Sequence, residues 1–302
     1  METLRQLLFD DIGRLRSGWR FLVFISAFTV ATAVFGLGSY FLLKWLNIDQ
    51  HEGAAAYFLI TSGFTLVPTL LVGWLCGKLL EKLPYRAMGA SFSNGWLKHF
   101  AAGICVGALA IGIAVAVAIG FGGLSFELDR TAAPEVIART LVSSLLVFAV
   151  AGAFEEALFR GYILQTFSRS GLAWVAILIT SVFFGAAHLS NPSASVASTV
   201  NTMLAGIWFS LAYLKTRDLW FPFGVHLAWN WLQGAFFGIE VSGMTDLTTA
   251  PLLKEIDRGP AWLTGGGVGS SWANFEAHAT WHITPLGIYN GTDVLTLSVP
   301  TG

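Results

Sequence analysis

Long charge-free runs dominate the pattern of hydrophobic and polar positions along the first half of the chain. Three runs, 21–43, 53–77 and 100–126, contain no Asp, Glu, Lys or Arg. Each reaches the roughly 20 residues that a helix needs to cross a bilayer. The first run is longer than the hydrophobic part of a cleaved signal peptide, about 7–15 residues, so we expect it to be retained as a helix. The pattern therefore predicts three transmembrane helices.

The second half of the chain predicts four more helices, although charged residues interrupt the pattern. A fourth helix is predicted over about 139–168, with two glutamates and an arginine inside it. The stretch 170–214 has no charged residue and is too long for one helix. Its cluster of turn-forming residues at 190–193 predicts a break between the fifth and sixth helices. The run 219–239 predicts the seventh.

Composition agrees with a membrane protein. The chain has 302 residues, of which 55% are hydrophobic and 12% charged, whereas about 25% of the residues of a soluble domain are charged. This balance disfavours a soluble enzyme, a disordered chain and a nucleic-acid-binding protein. The net charge of −1 gives no sign of a polyanionic partner. The predicted fold class is all-α, a polytopic transmembrane bundle of about seven spans.

The distribution of basic residues predicts the orientation. Most of the 17 lysines and arginines lie in segments that share one side with the N-terminus, and by the positive-inside rule that side is cytoplasmic. We expect an integral protein of the cytoplasmic membrane, in contact with its lipid bilayer. Residues 1–241 are predicted to form the transmembrane domain. Residues 242–302 contain no run long enough to span, and we expect an irregular polar tail outside the membrane.

Three polar clusters interrupt the predicted spans. An ionisable residue inside a span costs several kcal/mol unless it is paired or faces a watered cavity. In the first cluster, Glu156 and Arg160 are four residues apart and can pair on one helix face. Glu155 then points about 100° away, which leaves its carboxylate available for another task.

The other two clusters each place polar or aromatic groups four residues apart. Phe184 and His188 share one helix face, with small residues between them that allow close packing. His226 and Asn230 share a face of the seventh helix. Two polar side chains on an apolar span need a polar partner.

Together the three clusters are suited to hydrolysis of an amide bond. A carboxylate and an imidazole that face one water can act on it as general base. A second imidazole and an amide can donate to the developing oxyanion. No G-x-S-x-G element supports serine chemistry. Zinc stays an alternative, with His188, His226 and a glutamate as ligands, although no H-E-x-x-H spacing places two ligands on one helix.

These motifs resemble those of the CPBP (Abi) intramembrane proteases, which include the CAAX prenyl endopeptidases. That family has a double glutamate with an arginine four residues after the second, then Phe-x-x-x-His, then His-x-x-x-Asn or His-x-x-x-Asp. Here the motifs are the Glu155-Glu156-x-x-x-Arg160, Phe184-x-x-x-His188 and His226-x-x-x-Asn230 elements. The basic amphipathic segment 13–20 is also similar to prokaryotic members.

The resemblance implies an endopeptidase whose site lies within the bilayer. It implies that Glu155 and His188 activate water, and that His226 and Asn230 form the oxyanion hole. It assigns Glu156, with Arg160 and Phe184, to the support of that site. The family was long grouped with metalloproteases; we expect a mechanism without a cofactor, with zinc as the alternative. The expected partner is a membrane-associated protein or peptide substrate, and no nucleic acid.

The resemblance also implies an eighth hydrophobic helix after residue 266, which this sequence lacks. Either this member ends differently or the reading frame shifts near residue 268. Two other functions stay open from the sequence. The first is a catalytically idle membrane protein with an immunity or interaction role. The second is an ion- or proton-coupled transporter, in which intramembrane Glu and His residues relay protons.

Overall fold

The computed structural model describes residues 2–191, 194–242, 245–260 and 263. Within these ranges, nine α-helices and two strands follow one another, with two π-helical segments that continue α5 and α9. In chain order they are α1 (Glu2–Leu8), α2 (Ser17–Leu46), α3 (Ala54–Glu81), α4 (Trp96–Gly120), β1 (Leu124–Leu128), α5 (Pro134–Glu156), a π-helix (Ala157–Ile163), α6 (Leu164–Ser168), α7 (Ala173–Ala187), α8 (Val196–Thr216), α9 (Trp220–Trp231), a second π-helix (Leu232–Phe236) and β2 (Leu253–Asp257). Short 3₁₀ turns lie at Tyr85–Met88 and Thr245–Leu247.

The all-α fold class is confirmed. Among the described residues, four helices are long and apolar enough to cross a membrane: α2, α3, α4 and the continuous helix Pro134–Ser168. The predicted fifth, sixth and seventh spans correspond to helices α7, α8 and α9, which are not among these four; α7 is a shorter apolar helix of 15 residues. The break predicted at 190–193 falls between α7 and α8. The bundle therefore follows the hydropathy pattern closely.

The packing of apolar side chains is that of a protein surrounded by lipid. A buried core lies between α2, α3 and the helices that carry the three motifs, and Phe24, Tyr162 and Val225 are at most 1% exposed there. Many large apolar side chains point outward instead; Trp45 and Trp174 are 80% and 77% exposed. Such exposure on a helical bundle indicates a lipid-facing surface.

Two strands form a ribbon that the sequence did not predict. The run 100–126 was expected to be helical throughout, but α4 ends at Gly120 and β1 begins at Leu124. Strand β1 pairs antiparallel with β2, from Leu124 opposite Asp257 to Leu128 opposite Leu253. Residues 253–257, expected in an irregular tail, are thus ordered. The tail from 264 onward lies outside the described residues, and the domain boundary at 241 stays a prediction.

Polar side chains close the ribbon at one end. Lys254 Nζ lies 3.0 Å from Asp129 Oδ1 and donates to Thr131 Oγ1 at 2.7 Å. The Thr131 hydroxyl and the Lys254 ammonium hold the pKa of Asp129 well below its usual range. Leu252 N–H donates to the Ala235 carbonyl in the second π-helix. The ribbon is therefore attached directly to the end of the helix that carries His226.

Helix α9 approaches α4 through glycines on both helices. A Cβ atom at Gly103 would collide with the Phe221 carbonyl oxygen, and one at Gly224 with the Phe100 carbonyl oxygen. A Cβ atom at Gly107 would lie 2.5 Å from the Val225 carbonyl oxygen. Small residues at such positions allow two membrane helices to pack with their backbones in contact. The glycines thus fix the position of α9, and with it the position of His226.

We expect Gly107→Val to destabilise the protein by about 1–3 kcal/mol, the usual cost of overpacking a close helix contact. The valine would push on the backbone of Val225, the residue before His226, so His226 should be displaced as stability falls. Thermal unfolding in detergent measures the first effect. Gly112→Val is the matched control, because a Cβ atom at Gly112 meets nothing within 4 Å. Equal stability of the two variants would contradict this reading of the α4–α9 contact.

Candidate active site

The double glutamate lies where α5 changes into a π-helix. The helix continues from Pro134 to Ser168, and its residues Ala157–Ile163 are π-helical. At the end of this segment Leu164 N–H donates to the Phe159 carbonyl, one residue farther back than in an α-helix. Such wide turns are rare and are frequent at functional sites. All residues of the segment are buried.

Glu156 connects two of the three clusters. Its Oε1 accepts from Arg160 Nη1 at 3.1 Å and from His226 Nδ1 at 3.0 Å. All three side chains are buried. The pairing of Glu156 with Arg160, predicted from their spacing, is present in the structure. The contact with His226 joins the end of α5 to the middle of α9, so the first and third motifs form one cluster.

The Arg160 guanidinium is enclosed by aromatic rings. Its Cζ lies 4.6 Å from the centroid of the Phe184 ring and 5.1 Å from that of Phe209. Its Nη2 donates to the Gly206 carbonyl at 3.1 Å. A cation over aromatic faces gains further stabilisation when it is removed from water. Arg160 is therefore held by four elements: the π-helix itself, α5, α7 and α8.

Glu155 lies on the other side of the His226 imidazole. Its Oε2 is 3.6 Å from His226 Nε2, and this carboxylate is partly exposed, 23% by side chain. The separation is longer than a hydrogen bond, and Oε2 has no hydrogen-bond partner among the described residues. The two glutamates thus flank one imidazole from opposite nitrogens. Oε2 of each glutamate lacks a hydrogen-bond partner among the described residues, and Glu155 is the more exposed of the two side chains, 23% against 1%.

His188 directly follows the last residue of α7. Its Nδ1 lies 2.8 Å from the Phe184 carbonyl oxygen. Because a carbonyl only accepts, Nδ1 carries the proton in this contact, and Nε2 of the neutral ring keeps its lone pair. The Phe184 ring contacts both histidines, with centroid distances of 5.0 Å to His188 and 6.1 Å to His226. The second motif therefore adjoins the other two.

The expected convergence of Glu155, His188 and His226 is visible only in part. Glu155 and His226 are adjacent. No hydrogen bond between described residues joins His188 to either of them, but the Phe184 ring contacts both histidines. Among the described contacts, no ion pair joins His188 to a glutamate. Asn230 is half-buried one turn after His226, and its side chain makes no hydrogen bond within the described part of the chain. Its role as a donor stays a prediction.

The donor set does not fit a zinc site. Catalytic zinc takes three protein ligands and a water. Within the described ranges, no three His, Cys, Asp or Glu side chains are grouped so that they could hold a metal ion. His226 Nδ1 is already bonded to Glu156.

Phe209 is a site residue that the sequence did not indicate. Its ring stacks on the His226 imidazole with centroids 4.9 Å apart and 17° between the planes. The same ring contacts the Arg160 guanidinium. Phe209 thus restrains two polar members of the cluster. It lies in the long charge-free stretch 170–214, where one aromatic residue among many carries no signal of its own.

Comparison with known proteins agrees with the motifs. Residues 137–232 match the model of a family described as type II CAAX prenyl endopeptidase Rce1-like. The matched range contains every candidate site residue named above. This match supports the resemblance to the CPBP family, and it supports a protease, a hydrolase of peptide bonds, as the kind of enzyme. With the four long apolar helices, it indicates an integral membrane protein.

A relative from Escherichia coli is similar over a longer stretch. It is 28% identical over 187 residues, which cover 60% of this chain and 81% of the relative. Its description, an uncharacterized 24.3 kDa protein, names no activity. No solved structure matches the chain. The family match is therefore the comparison that bears on function.

Proposed function

We propose that this chain, whose residues 137–232 match the Rce1-like family, is an intramembrane endopeptidase that cleaves a membrane-associated protein or peptide. The observation that carries the proposal is the cluster of buried Glu156, Arg160 and His226 with partly exposed Glu155, within an apolar helical bundle. A charged cluster in such a place costs several kcal/mol unless its members are paired or face water. Here Oε2 of Glu155, on the partly exposed side chain, has no hydrogen-bond partner among the described residues.

Glu155 and His188 are assigned to the activation of water. The unpartnered Oε2 of Glu155 can accept a hydrogen bond from a water molecule and then its proton. His188 offers Nε2 as a second acceptor, because its Nδ1–H is donated to the Phe184 carbonyl. The hydroxide that results attacks the carbonyl carbon of the scissile peptide bond. Return of the proton to the amine lets the C–N bond break.

His226 and Asn230 are assigned to the oxyanion hole. His226 Nδ1 donates to Glu156, so Nε2 can donate to an oxyanion only when both ring nitrogens carry protons. The carboxylates of Glu155 and Glu156 flank that ring and balance the charge of this form. The Asn230 amide offers two more N–H groups on the same helix. Glu156, Arg160 and Phe184 hold these groups in place.

Substrate and location follow from the same proposal. The site lies among apolar helices, so the substrate must reach it from the membrane, by a lipid anchor, a hydrophobic C-terminus or a transmembrane segment. We place the protein in the cytoplasmic membrane with its N-terminus in the cytoplasm, as the distribution of basic residues favours. A prenylated C-terminal peptide is the first substrate to try, because the matched family description names prenyl endopeptidases.

Cleavage by the purified chain in lipid nanodiscs tests the proposal. The substrates are three fluorogenic peptides of one sequence: farnesylated, palmitoylated and without a lipid. Mass spectrometry of the products identifies the bond that is cut. We expect cleavage of a lipid-anchored peptide that survives EDTA and 1,10-phenanthroline. No product from any anchored peptide would contradict a protease, and activity lost on chelation and restored by zinc would contradict the assignment without metal.

Asn230→Ala is expected to lower kcat by about 10²–10³-fold, the loss typical of one oxyanion donor, with KM nearly unchanged. Steady-state cleavage of the best peptide measures both constants. Asn201→Ala is the matched control, because Asn201 is an exposed residue of α8. A rise in KM at constant kcat would show instead that Asn230 binds the substrate and not the transition state.

A further inference from the structure

A continuous polar network runs from the π-helix to the ends of α2 and α3. Gln165, 3% exposed, donates from Nε2 to the Arg160 carbonyl at 3.1 Å and to the Met88 carbonyl at 2.9 Å. Its Oε1 accepts from Arg169 Nη1 at 2.8 Å. Both amide hydrogens and the amide oxygen are thus used. A flipped amide would place its oxygen against two carbonyl acceptors, so the network defines its orientation.

The contact with the Arg160 carbonyl lies at the end of the π-helix. In an α-helix, Leu164 N–H would donate to the Arg160 carbonyl. Here Leu164 N–H donates to the Phe159 carbonyl instead. A buried carbonyl that loses a donor is destabilising. The Gln165 side chain donates to the Arg160 carbonyl, so it compensates for the wide turn at the residue whose guanidinium pairs with Glu156.

Gln165 is in turn anchored by a cluster of buried charges. Arg169 donates to both oxygens of Glu81, from Nη2 at 2.8 Å and from Nε at 3.0 Å. Arg20 Nη1 forms an ion pair with the same carboxylate, and its Nη2 donates to Ser170 Oγ at 2.7 Å. Arg20 and Glu81 are each 1% exposed by side chain. These charges join α2, α3 and the end of α6. They hold Arg169, which donates to Gln165 Oε1.

We infer that Gln165 is a positioning residue for the site, which acts through Arg160 on Glu156 and His226. The expected effect of Gln165 on catalysis rests on the proposed function, whereas its effect on the geometry of the turn does not. Held by Gln165, the wide turn presents the Arg160 guanidinium to Glu156 Oε1, which His226 Nδ1 also contacts. Loss of the two donations lets the turn relax towards regular α-helical pairing and moves the guanidinium away from Glu156.

Gln165→Glu tests the inference in the full chain in nanodiscs. The substitution keeps the size and the acceptor for Arg169, and it removes both donations. Hydrogen–deuterium exchange should become about tenfold faster in the peptide covering 157–168, as expected when the one lost donation that lies within this segment, to the Arg160 carbonyl, is removed. With a cleavable peptide, kcat should fall by about 10–100-fold with KM within about twofold, because displacement of the site lowers the rate and not the affinity.

A second variant and a control keep the test decisive. Gln165→Met, neutral and of similar size, replaces Gln165→Glu if the latter does not fold. Thr69→Val is the control, since the hydroxyl of this buried threonine donates to the Thr65 carbonyl of its own helix and, within the described part of the chain, forms no hydrogen bond with a member of the network. Unchanged exchange over 157–168 overturns the inference, as does faster exchange with unchanged kcat. If the wild-type chain cleaves nothing, the proposed function fails, and the exchange result still decides whether Gln165 holds the turn.

Discussion

Glu155→Gln is expected to reduce cleavage by about 10²–10⁴-fold, to background in most assays, because it removes the carboxylate that we propose as general base. The glutamine has the shape of the glutamate but cannot take a proton from water. Its amide can still donate towards the solvent-facing part of the site, so substrate binding should persist. Single-turnover cleavage of an anchored peptide in nanodiscs, with thermal unfolding measured in parallel, separates lost chemistry from lost folding.

The same helix provides the control for this variant. Glu135 lies in the first turn of α5 and is exposed, so Glu135→Gln makes the identical change far along the helix from the cluster. We expect wild-type turnover from it. A Glu155→Gln protein that cleaves at the wild-type rate would remove Glu155 from the role of base. The next candidate would then be His188, which keeps a free Nε2.

Arg160→Met is expected to lower the free energy of unfolding by about 3–5 kcal/mol, because it leaves the buried Glu156 carboxylate without its cation. The methionine fills most of the volume between Phe184 and Phe209 but forms no ion pair. Thermal unfolding in detergent, followed by tryptophan fluorescence, measures the loss. Cleavage should fall as well, since Glu156 also accepts from His226.

Two further variants make this second prediction specific. Arg139→Met changes an exposed arginine of the same helix and should alter stability by about 0.5 kcal/mol or less. The double variant Glu156→Gln/Arg160→Met removes both charges, so it should regain part of the lost stability and none of the lost activity. A single Arg160→Met variant as stable as Arg139→Met would show that the ion pair contributes little.

The helices could be predicted from the sequence because hydropathy reports directly on burial in lipid. The runs 21–43 and 53–77 became α2 and α3 almost as expected. The predicted end of the third run was wrong, because the uncharged residues 124–126 suit a strand as well as a helix. Gly122 has a φ of +73°, which is incompatible with a right-handed α-helix, so α4 ends before it. No local pattern in the sequence predicted β2, because its pairing partner β1 lies about 130 residues earlier in the chain.

The site was predictable where its members are close in sequence. The spacing of Glu156 and Arg160 indicated an ion pair, and the structure contains it at 3.1 Å. The contacts of Phe209 with His226, and of Gln165 with Arg160, were not predictable. They depend on which helices are neighbours and on the π-helix, and a single sequence encodes neither in a local pattern. A polar glutamine among apolar residues was the one visible sign of the network.

The ribbon of β1 and β2 has a consequence for how the protein is made. During synthesis, residues 124–128 leave the ribosome long before residues 253–257 do, and α9 emerges between them. The two strands can pair only after α9 has been synthesised. Since Leu252 N–H donates to the Ala235 carbonyl in the π-helix that continues α9, ribbon closure would complete the support of the proposed site only after residues 253–257 have emerged. On the proposed function, a nascent chain would then stay inactive in the membrane until this ribbon has formed.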